Sequence, residues 1–262
     1  PIMRQLPWPL PTLLAGALVV AAAGVVRGFA GFGFSALSVA GLSLFLPPAQ
    51  VVPPVFVLEV LASLSLLRGA LRDADWAWLG WLALGNAMAI PVGVTLLAWL
   101  PETPLRLLIG ALLFAAAVLL RVGVRFAFEP TARVRLATGQ VSGLVNGVAA
   151  IGGIAVALLL STTALGPAAM RATMILLFLF TDLYALAWAA LGSIGEVAPT
   201  SLLSGDTLRW AAWLGPAMLA GIWVGQRAFA GVSVERFRAL VLSALMAIAA
   251  LGVLRATWGL LA

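Results

Sequence analysis

The sequence contains no cysteine and no histidine, and all fifteen of its basic residues are arginine. These absences exclude disulfide bonds, thiol nucleophiles, imidazole acid–base chemistry and metal sites built from cysteine or histidine. Charged residues make up only 9% of the chain. Because no serine has an evident base, an enzyme would have to work with isolated carboxylates. We therefore expect neither enzymatic activity nor a cofactor.

Apolar residues make up 63% of the 262-residue chain, and its mean hydropathy is +1.14. A helix that spans a bilayer needs about 20 mainly apolar residues, so the chain has room for roughly ten such elements joined by short loops. This composition predicts an all-α integral membrane protein that forms one membrane domain. The net charge of +6 does not indicate nucleic-acid binding, because the arginines are dispersed among apolar segments.

The apolar pattern divides into segments that recur in two halves, residues 1–124 and 125–262. Each half has a short segment directly after a glycine-rich stretch, either a half-helix or the return limb of a re-entrant hairpin. Each half holds five elements, an odd number, so the two halves must have opposite orientations in the membrane. The sequence therefore predicts 8 to 10 helical elements in two inverted repeats. The predicted segments are 12–27, 34–46, 49–71, 76–100, 105–122, 134–148, 154–160, one starting at 166, 208–228 and 234–256.

The arginines indicate an orientation in the bilayer. If successive elements alternate in direction, eleven of the fifteen arginines fall on one side, which the positive-inside rule assigns to the cytoplasm. Both termini then lie outside the cytoplasm, and the Arg-rich connection between the halves lies inside it. The eleven are Arg27, Arg68, Arg72, Arg121, Arg125, Arg133, Arg135, Arg171, Arg227, Arg236 and Arg238.

Two glycine-rich breaks interrupt apolar sequence at corresponding places in the halves. The first break is Val26–Ser35, V-R-G-F-A-G-F-G-F-S, and the second is Asn146–Ile154, N-G-V-A-A-I-G-G-I. Irregular backbone at membrane depth is tolerated only where protein or a water-filled cavity satisfies its polar groups. A half-helix starting at Phe34 or Ile154 would aim unpaired amides at the break, which suits an anion. The alternative is close helix packing through small residues.

Four of the charged residues in the apolar segments are candidates for a functional role. Arg27 adjoins the first break and Arg171 lies one turn into the eighth segment, so either could hold an anion or extend to the interface as an anchor. Glu59 and Asp182 lie near the middles of the corresponding third and eighth segments and are candidates for proton coupling. A plain Arg27–Glu59 salt bridge is the alternative for that pair.

The prediction for the substrate site joins both breaks and their polar neighbours. Glycines there leave room for a ligand at the backbone, and Asn146 could be a ligand or form an interhelical hydrogen bond. The expected partners are a small anion and the lipid bilayer, with a homodimer left open. The predicted substrate-binding residues are Arg27, Gly31, Phe32, Gly33, Phe34, Asn146, Gly152, Gly153 and Arg171.

At these residues the chain resembles the TauE/SafE sulfite exporter family. The resemblance rests on R-G-F-A-G-F-G at Arg27–Gly33, the proline-initiated third segment, G-L-V-N-G-V-A-A-I-G-G ending at Gly153, and R-A-T-M-I-L-L-F at Arg171–Phe178. It implies a bacterial inner-membrane carrier of sulfite, thiosulfate, sulfonates or sulfoacetate, built from inverted repeats whose glycine motifs flank the transport path. Proton-coupled efflux is an option.

Four other functions remain open at this point. An anion channel would give flux that does not saturate and no counter-transport, and a carrier of a non-sulfur organic anion would differ only in its substrate. A scaffold without transport would show no ligand effect. An intramembrane enzyme would turn over a candidate substrate.

Overall fold

The computed structural model describes residues 9–122, 131–160, 163, 165–194, 202–228, 243, 245–248 and 250–251. Within these residues the regular structure is entirely helical, which confirms the all-α prediction. The helices are α1 Leu10–Ala30, α2 Phe34–Leu42, α3 Pro48–Asp73, α4 Trp76–Trp99, α5 Glu102–Val122, α6 Ala132–Ala149, α7 Gly153–Leu160, α8 Pro167–Ile194 and α9 Gly205–Ala228. The tenth predicted segment, 234–256, lies largely outside the described residues.

Both breaks are shorter than their glycine content predicts. The first helix continues past Arg27 to Ala30, so only Gly31–Gly33 are irregular, and α6 likewise continues to Ala149. The prediction that the first helix ends at Arg27 was therefore wrong. The reason is that a glycine packed against a neighbouring backbone does not break a helix, whereas a residue with left-handed backbone angles ends one.

The two half-helices are the elements that follow the breaks. The second segment was predicted to reach residue 46, but α2 ends at Leu42 and residues 43–46 form a turn. Nine residues in α2 and eight in α7 give lengths of about 14 Å and 12 Å. Neither is long enough to cross the hydrocarbon core of a bilayer.

Five helices within the described ranges are long and apolar enough to cross a membrane. They are α1, α3, α4, most of α5 and α8. Their outward faces carry large apolar side chains such as Leu18, Trp99 and Leu191, which are 73%, 57% and 61% exposed. Lipid would cover these side chains in a bilayer, because they have no protein neighbour to bury them.

Glycines allow two helix pairs to approach closely. Helix α1 packs along α9, and α4 packs along α6. A Cβ atom added to Gly28 would lie 2.2 Å from the Ile222 carbonyl oxygen, and one added to Gly147 would lie 2.7 Å from the Ile90 carbonyl oxygen. Because real Cβ atoms do not come so near to backbone, these contacts require glycine, as small-residue packing in membranes predicts.

Helices α3 and α8 form the centre of the molecule. They pack against each other, and α8 also packs against α4 and α3 against α9. The two half-helices lie beside this pair, α2 against α3 and α7 against α8. The fold thus brings the midpoints of α3 and α8, with Glu59 and Asp182, next to the two breaks.

Candidate site at the two glycine breaks

At the first break the chain turns from α1 into α2 through two left-handed glycines. Gly31 has φ 80° and Gly33 has φ 92°. The Gly31 amide donates to the Arg27 carbonyl oxygen at 2.8 Å, which ends α1. Left-handed backbone is strained for residues with a Cβ atom, so glycine is favoured at both positions.

Arg27 lies on the last turns of α1 and is completely buried. Its Nη1 donates to the Gly31 carbonyl oxygen at 2.8 Å, and its Nη2 donates to the Ser63 hydroxyl at 2.9 Å and lies 3.2 Å from Glu59 Oε2. The guanidinium carbon is 4.8 Å from the centre of the Phe178 ring. Burial in such surroundings requires a counter-charge, and Glu59 supplies it.

Glu59 also caps the first half-helix. Its Oε1 accepts a hydrogen bond from the Ser35 hydroxyl at 2.5 Å and one from the Ser35 amide at 3.3 Å. Ser35 is the second residue of α2, so the carboxylate lies at the positive end of that helix. The place predicted for an anion is therefore held by a carboxylate of the protein itself in this structure.

Arg171 reaches the same break from α8. Its Nη2 donates to the Gly28 carbonyl oxygen at 3.2 Å, and its aliphatic stem crosses Gly31, where an added Cβ would lie 2.5 Å from Cγ. Unlike Arg27, it is only partly buried. Across the described residues the ion pairs are Arg27–Glu59, Arg106–Glu102 and Arg209–Asp206. The Arg171 guanidinium at the first break therefore has no acidic partner among the described residues.

The second break ends its helix as the first does, with different side chains around it. Ala150 has φ 58° and ends α6, where its amide donates to the Asn146 carbonyl oxygen at 2.7 Å. The Asn146 side chain donates to Asp182 Oδ1 at 2.9 Å and accepts from the Gly152 amide at 3.4 Å. Asp182 is buried. It pairs with the side-chain amide of Asn146, whereas Glu59 pairs with the guanidinium of Arg27.

Protein atoms fill the space beside the glycines of the second break. A Cβ added to Gly152 would lie 2.2 Å from the Ser142 carbonyl oxygen, and one added to Gly153 would lie 2.4 Å from Phe178. The same Phe178 ring faces Arg27. Phe178 therefore lies between the two breaks and contacts both.

The two phenylalanines predicted at the first break belong to different parts of the core. Phe34 is completely buried in the main hydrophobic cluster with α1 and α3 residues, whereas Phe32 is partly exposed and packs on a second cluster that contains Phe178. Arg27, Glu59, Asn146 and Asp182 are each at most 3% exposed. An anion could reach this cluster only after the surrounding helices move.

A separate cavity of about 540 Å³ opens among the start of α3, the α4–α5 turn and the start of α9. The residues predicted for the substrate site do not line it. Its polar lining comes from Gln50, Glu102, Ser204, Asp206 and Thr207.

A family model for the sulfite exporter TauE/SafE matches residues 16–251, which include both breaks and every helix from α2 to α9. The chain belongs to the TauE/SafE sulfite exporter family. No curated protein and no solved structure matches it. As a TauE/SafE protein, the chain is a membrane transporter of the sulfite-exporter type, and the predicted resemblance is confirmed.

Three residues of the candidate site were missed from the sequence. Ser35 and Ser63 bind the Arg27–Glu59 pair, and Phe178 lies between the breaks. Each of them had a signal: Ser63 lies four residues after Glu59 and Phe178 four before Asp182, a spacing that puts side chains on one helix face. Ser35 had the signal of a hydroxyl at the first turn of a half-helix.

Proposed function

We propose that this chain carries a small sulfur-containing anion of the sulfite, thiosulfate, sulfonate or sulfoacetate type across the bacterial inner membrane by alternating access. The anion would bind at the first break, between Arg171, Arg27 and the amino end of α2. The observation that carries the proposal is Arg171, a partly buried guanidinium without an acidic partner among the described residues, lying across Gly31.

The chemistry of these donors suits an oxyanion of sulfur. A guanidinium presents paired N–H donors that match two oxygens of one anion. A cation inside a membrane is costly unless it meets a partner or water, and a substrate anion would be that partner for Arg171. Arg27 and the Ser35 amide, at the same break, would complete the oxygen contacts.

Alternating access is supported by corresponding contacts in the two halves. Gly31 and Ala150 both end a helix in left-handed geometry by donating to the residue four positions earlier, Arg27 or Asn146. We therefore propose two inverted repeats, 1–124 and 125–262, that rock against each other around the buried cluster. Carriers built this way hold their substrate at the interface of the repeats.

Because the chain contains no cysteine, single introduced cysteines can test its orientation in the membrane. We propose periplasmic termini, which puts the α4–α5 turn and the 540 Å³ cavity outside and the Arg-rich stretch 121–135 in the cytoplasm. Pro101→Cys should then react with a membrane-impermeant maleimide added to intact spheroplasts, whereas Ala132→Cys should react only after the membrane is permeabilised. Labelling of Ala132→Cys in intact spheroplasts would contradict this orientation.

The transport proposal is tested by flux in proteoliposomes. Labelled sulfite, thiosulfate and a sulfonate should enter with saturable kinetics and exchange against unlabelled anion inside. Arg171→Ala should lower the flux by at least about tenfold, since it removes a charge-assisted contact. Arg171→Lys should recover only part, because the paired geometry is lost.

Arg209→Ala is the matched control, because Arg209 pairs with Asp206 at the start of α9 and its side chain is 68% exposed. Its flux should equal that of the unaltered protein. Flux that does not saturate and lacks exchange would indicate a channel, and the absence of flux of any sulfur anion would contradict the proposal.

A further inference from the structure

Glu59 occupies the donors that a substrate anion would need. Its two oxygens face Arg27 Nη2 at 3.2 Å and the Ser35 hydroxyl and amide at 2.5 Å and 3.3 Å. A guanidinium and a half-helix amide are groups that bind an oxyanion. The carboxylate thus stands where one edge of a sulfonate or sulfite would lie.

We infer that Glu59 is a tethered competitor for the anion site, and that its protonation releases Arg27 and the amino end of α2 to the substrate. This inference rests on the proposed function, because it concerns the same anion site. It assigns Glu59 a different task from Asp182, whose Oδ1 is held by the Asn146 amide, a neutral donor.

The charge balance of the buried cluster favours such an exchange. Arg27 is completely buried, and an uncompensated buried charge is strongly destabilising. Glu59 therefore cannot leave Arg27 unless another anion replaces it. When an anion arrives together with a proton on Glu59, the cluster keeps one cation and one anion, so its net charge is unchanged for a monovalent substrate.

The step itself is a proton transfer without other covalent change. A proton from water bonds to a Glu59 oxygen, the neutral carboxyl group gives up its contact with Arg27, and the anion takes it over. When the anion departs, the proton returns to water and the salt bridge forms again. One proton and one anion thus bind and leave together.

The other charged groups near Glu59 are few. Arg27 faces it from α1, and Asp182 on α8 interacts with both electrostatically. Arg171 on α8 interacts electrostatically with Arg27. Helix α2 carries no charged residue, and the charges of α5, α6 and α9 lie within the first five or the last two residues of those helices. Asp182 is therefore the competing candidate for the proton, and the test must separate the two carboxylates.

The experiment measures dissociation constants of purified protein for thiosulfate and methanesulfonate, whose own charge is constant from neutral to mildly acidic pH. Where Glu59 is ionised, affinity should rise by about tenfold for each unit by which pH falls, the slope for one linked proton. Glu59→Gln should bind at least about tenfold more tightly at neutral pH, and its affinity should not vary with pH.

Asp182→Asn is the matched control and should keep the pH slope of the unaltered protein. Loss of the slope in Asp182→Asn together with its survival in Glu59→Gln would overturn the inference. Equal affinity of Glu59→Gln and the unaltered protein at neutral pH would also overturn it.

A milder pair of variants tests the same idea if Glu59→Gln does not fold. Ser35→Ala removes the hydroxyl that binds Glu59 but keeps the amide proposed to bind the anion, so it should tighten anion binding about three- to tenfold, the equivalent of one hydrogen bond. Ser38→Ala on the same helix is the control, because the Ser38 hydroxyl is buried without a hydrogen-bond partner among the described residues.

Weaker binding in Ser35→Ala, or equal tightening in Ser38→Ala, would contradict the competitor model. Binding that is tight but independent of pH in the unaltered protein would overturn this inference and leave the proposed function intact. Failure to bind either anion in all variants at every pH would instead contradict the proposed function, and this inference with it.

Discussion

The two breaks end their long helices in the same way and differ in charge. Each ends a long helix with a left-handed residue that donates to the residue four positions before it, and each is followed by a half-helix. The first has Gly31, Arg27 and Glu59 where the second has Ala150, Asn146 and Asp182. The first break is thus closed by an ion pair, and the second by an amide hydrogen bond.

This difference indicates a division of tasks between the halves. Both arginines near the breaks, Arg27 and Arg171, bind carbonyl oxygens of the first break. The second break offers an anion only neutral donors, and Ser142 and Phe178 fill the space beside its glycines. We therefore expect mutations at the first break to change anion binding, whereas mutations at the second break should affect stability and the movement of the halves with little change in anion binding.

The largest effect on stability is expected from breaking the ion pair. Arg27→Met leaves the Glu59 carboxylate buried with only Ser35 as a donor, which should lower the free energy of unfolding by about 3–5 kcal/mol. Denaturation in detergent measures it. Combining Arg27→Met with Glu59→Leu should recover most of the loss, because a matched apolar pair leaves no charge unpaired. A double variant no more stable than Arg27→Met would contradict this account of the pair.

A smaller loss is expected at the second break. Asn146→Ala removes the hydrogen bonds to Asp182 and to the Gly152 amide and should cost about 1–3 kcal/mol. Gln140→Ala on the same helix is the comparison variant, because the Gln140 amide has only a weak contact with the Met88 sulfur at 3.8 Å. If the two variants were equally stable, the Asn146–Asp182 pair would not hold the second break.

The smallest effects come from exchanging the left-handed residues. Gly31→Ala should cost about 1–2 kcal/mol from backbone strain alone, and the Arg171 stem must also move. Ala150→Gly relieves the same strain and should change stability by less than about 1 kcal/mol in either direction, because glycine also loses more chain entropy. Thermal unfolding of the two variants side by side measures the contrast, and a costlier Ala150→Gly would show that the caps are not equivalent.

Periodicity and composition predicted much of this architecture. The apolar runs located all nine described helices, and the glycine clusters located both breaks to within a few residues. Their limits were wrong where glycine serves packing, as at Gly28, which lies within α1 against Ile222. Sequence alone cannot distinguish a glycine required by a neighbouring helix from one required by a turn.

The pairing of the polar residues was harder to predict. Arg27 and Glu59 were individually conspicuous as charges in apolar sequence, and their salt bridge was one of two alternatives. That Asp182 binds Asn146 and that Phe178 lies between the breaks depends on how α8 packs against α3 and α7. Such contacts join residues that are distant in the chain, and no local pattern specifies them.

The assignment of the anion to the first break is tested by measuring affinity for a labelled sulfur oxyanion. Three purified proteins are compared: the unaltered protein, Arg171→Ala and Asn146→Ala. Arg171→Ala should weaken binding by at least about tenfold, because it removes a charge-assisted contact to the anion. Asn146→Ala should stay within about threefold of the unaltered protein, because Asn146 binds Asp182 and Gly152 at the second break. Unchanged affinity in Arg171→Ala, or an equal loss in Asn146→Ala, would contradict the assignment of the anion to the first break.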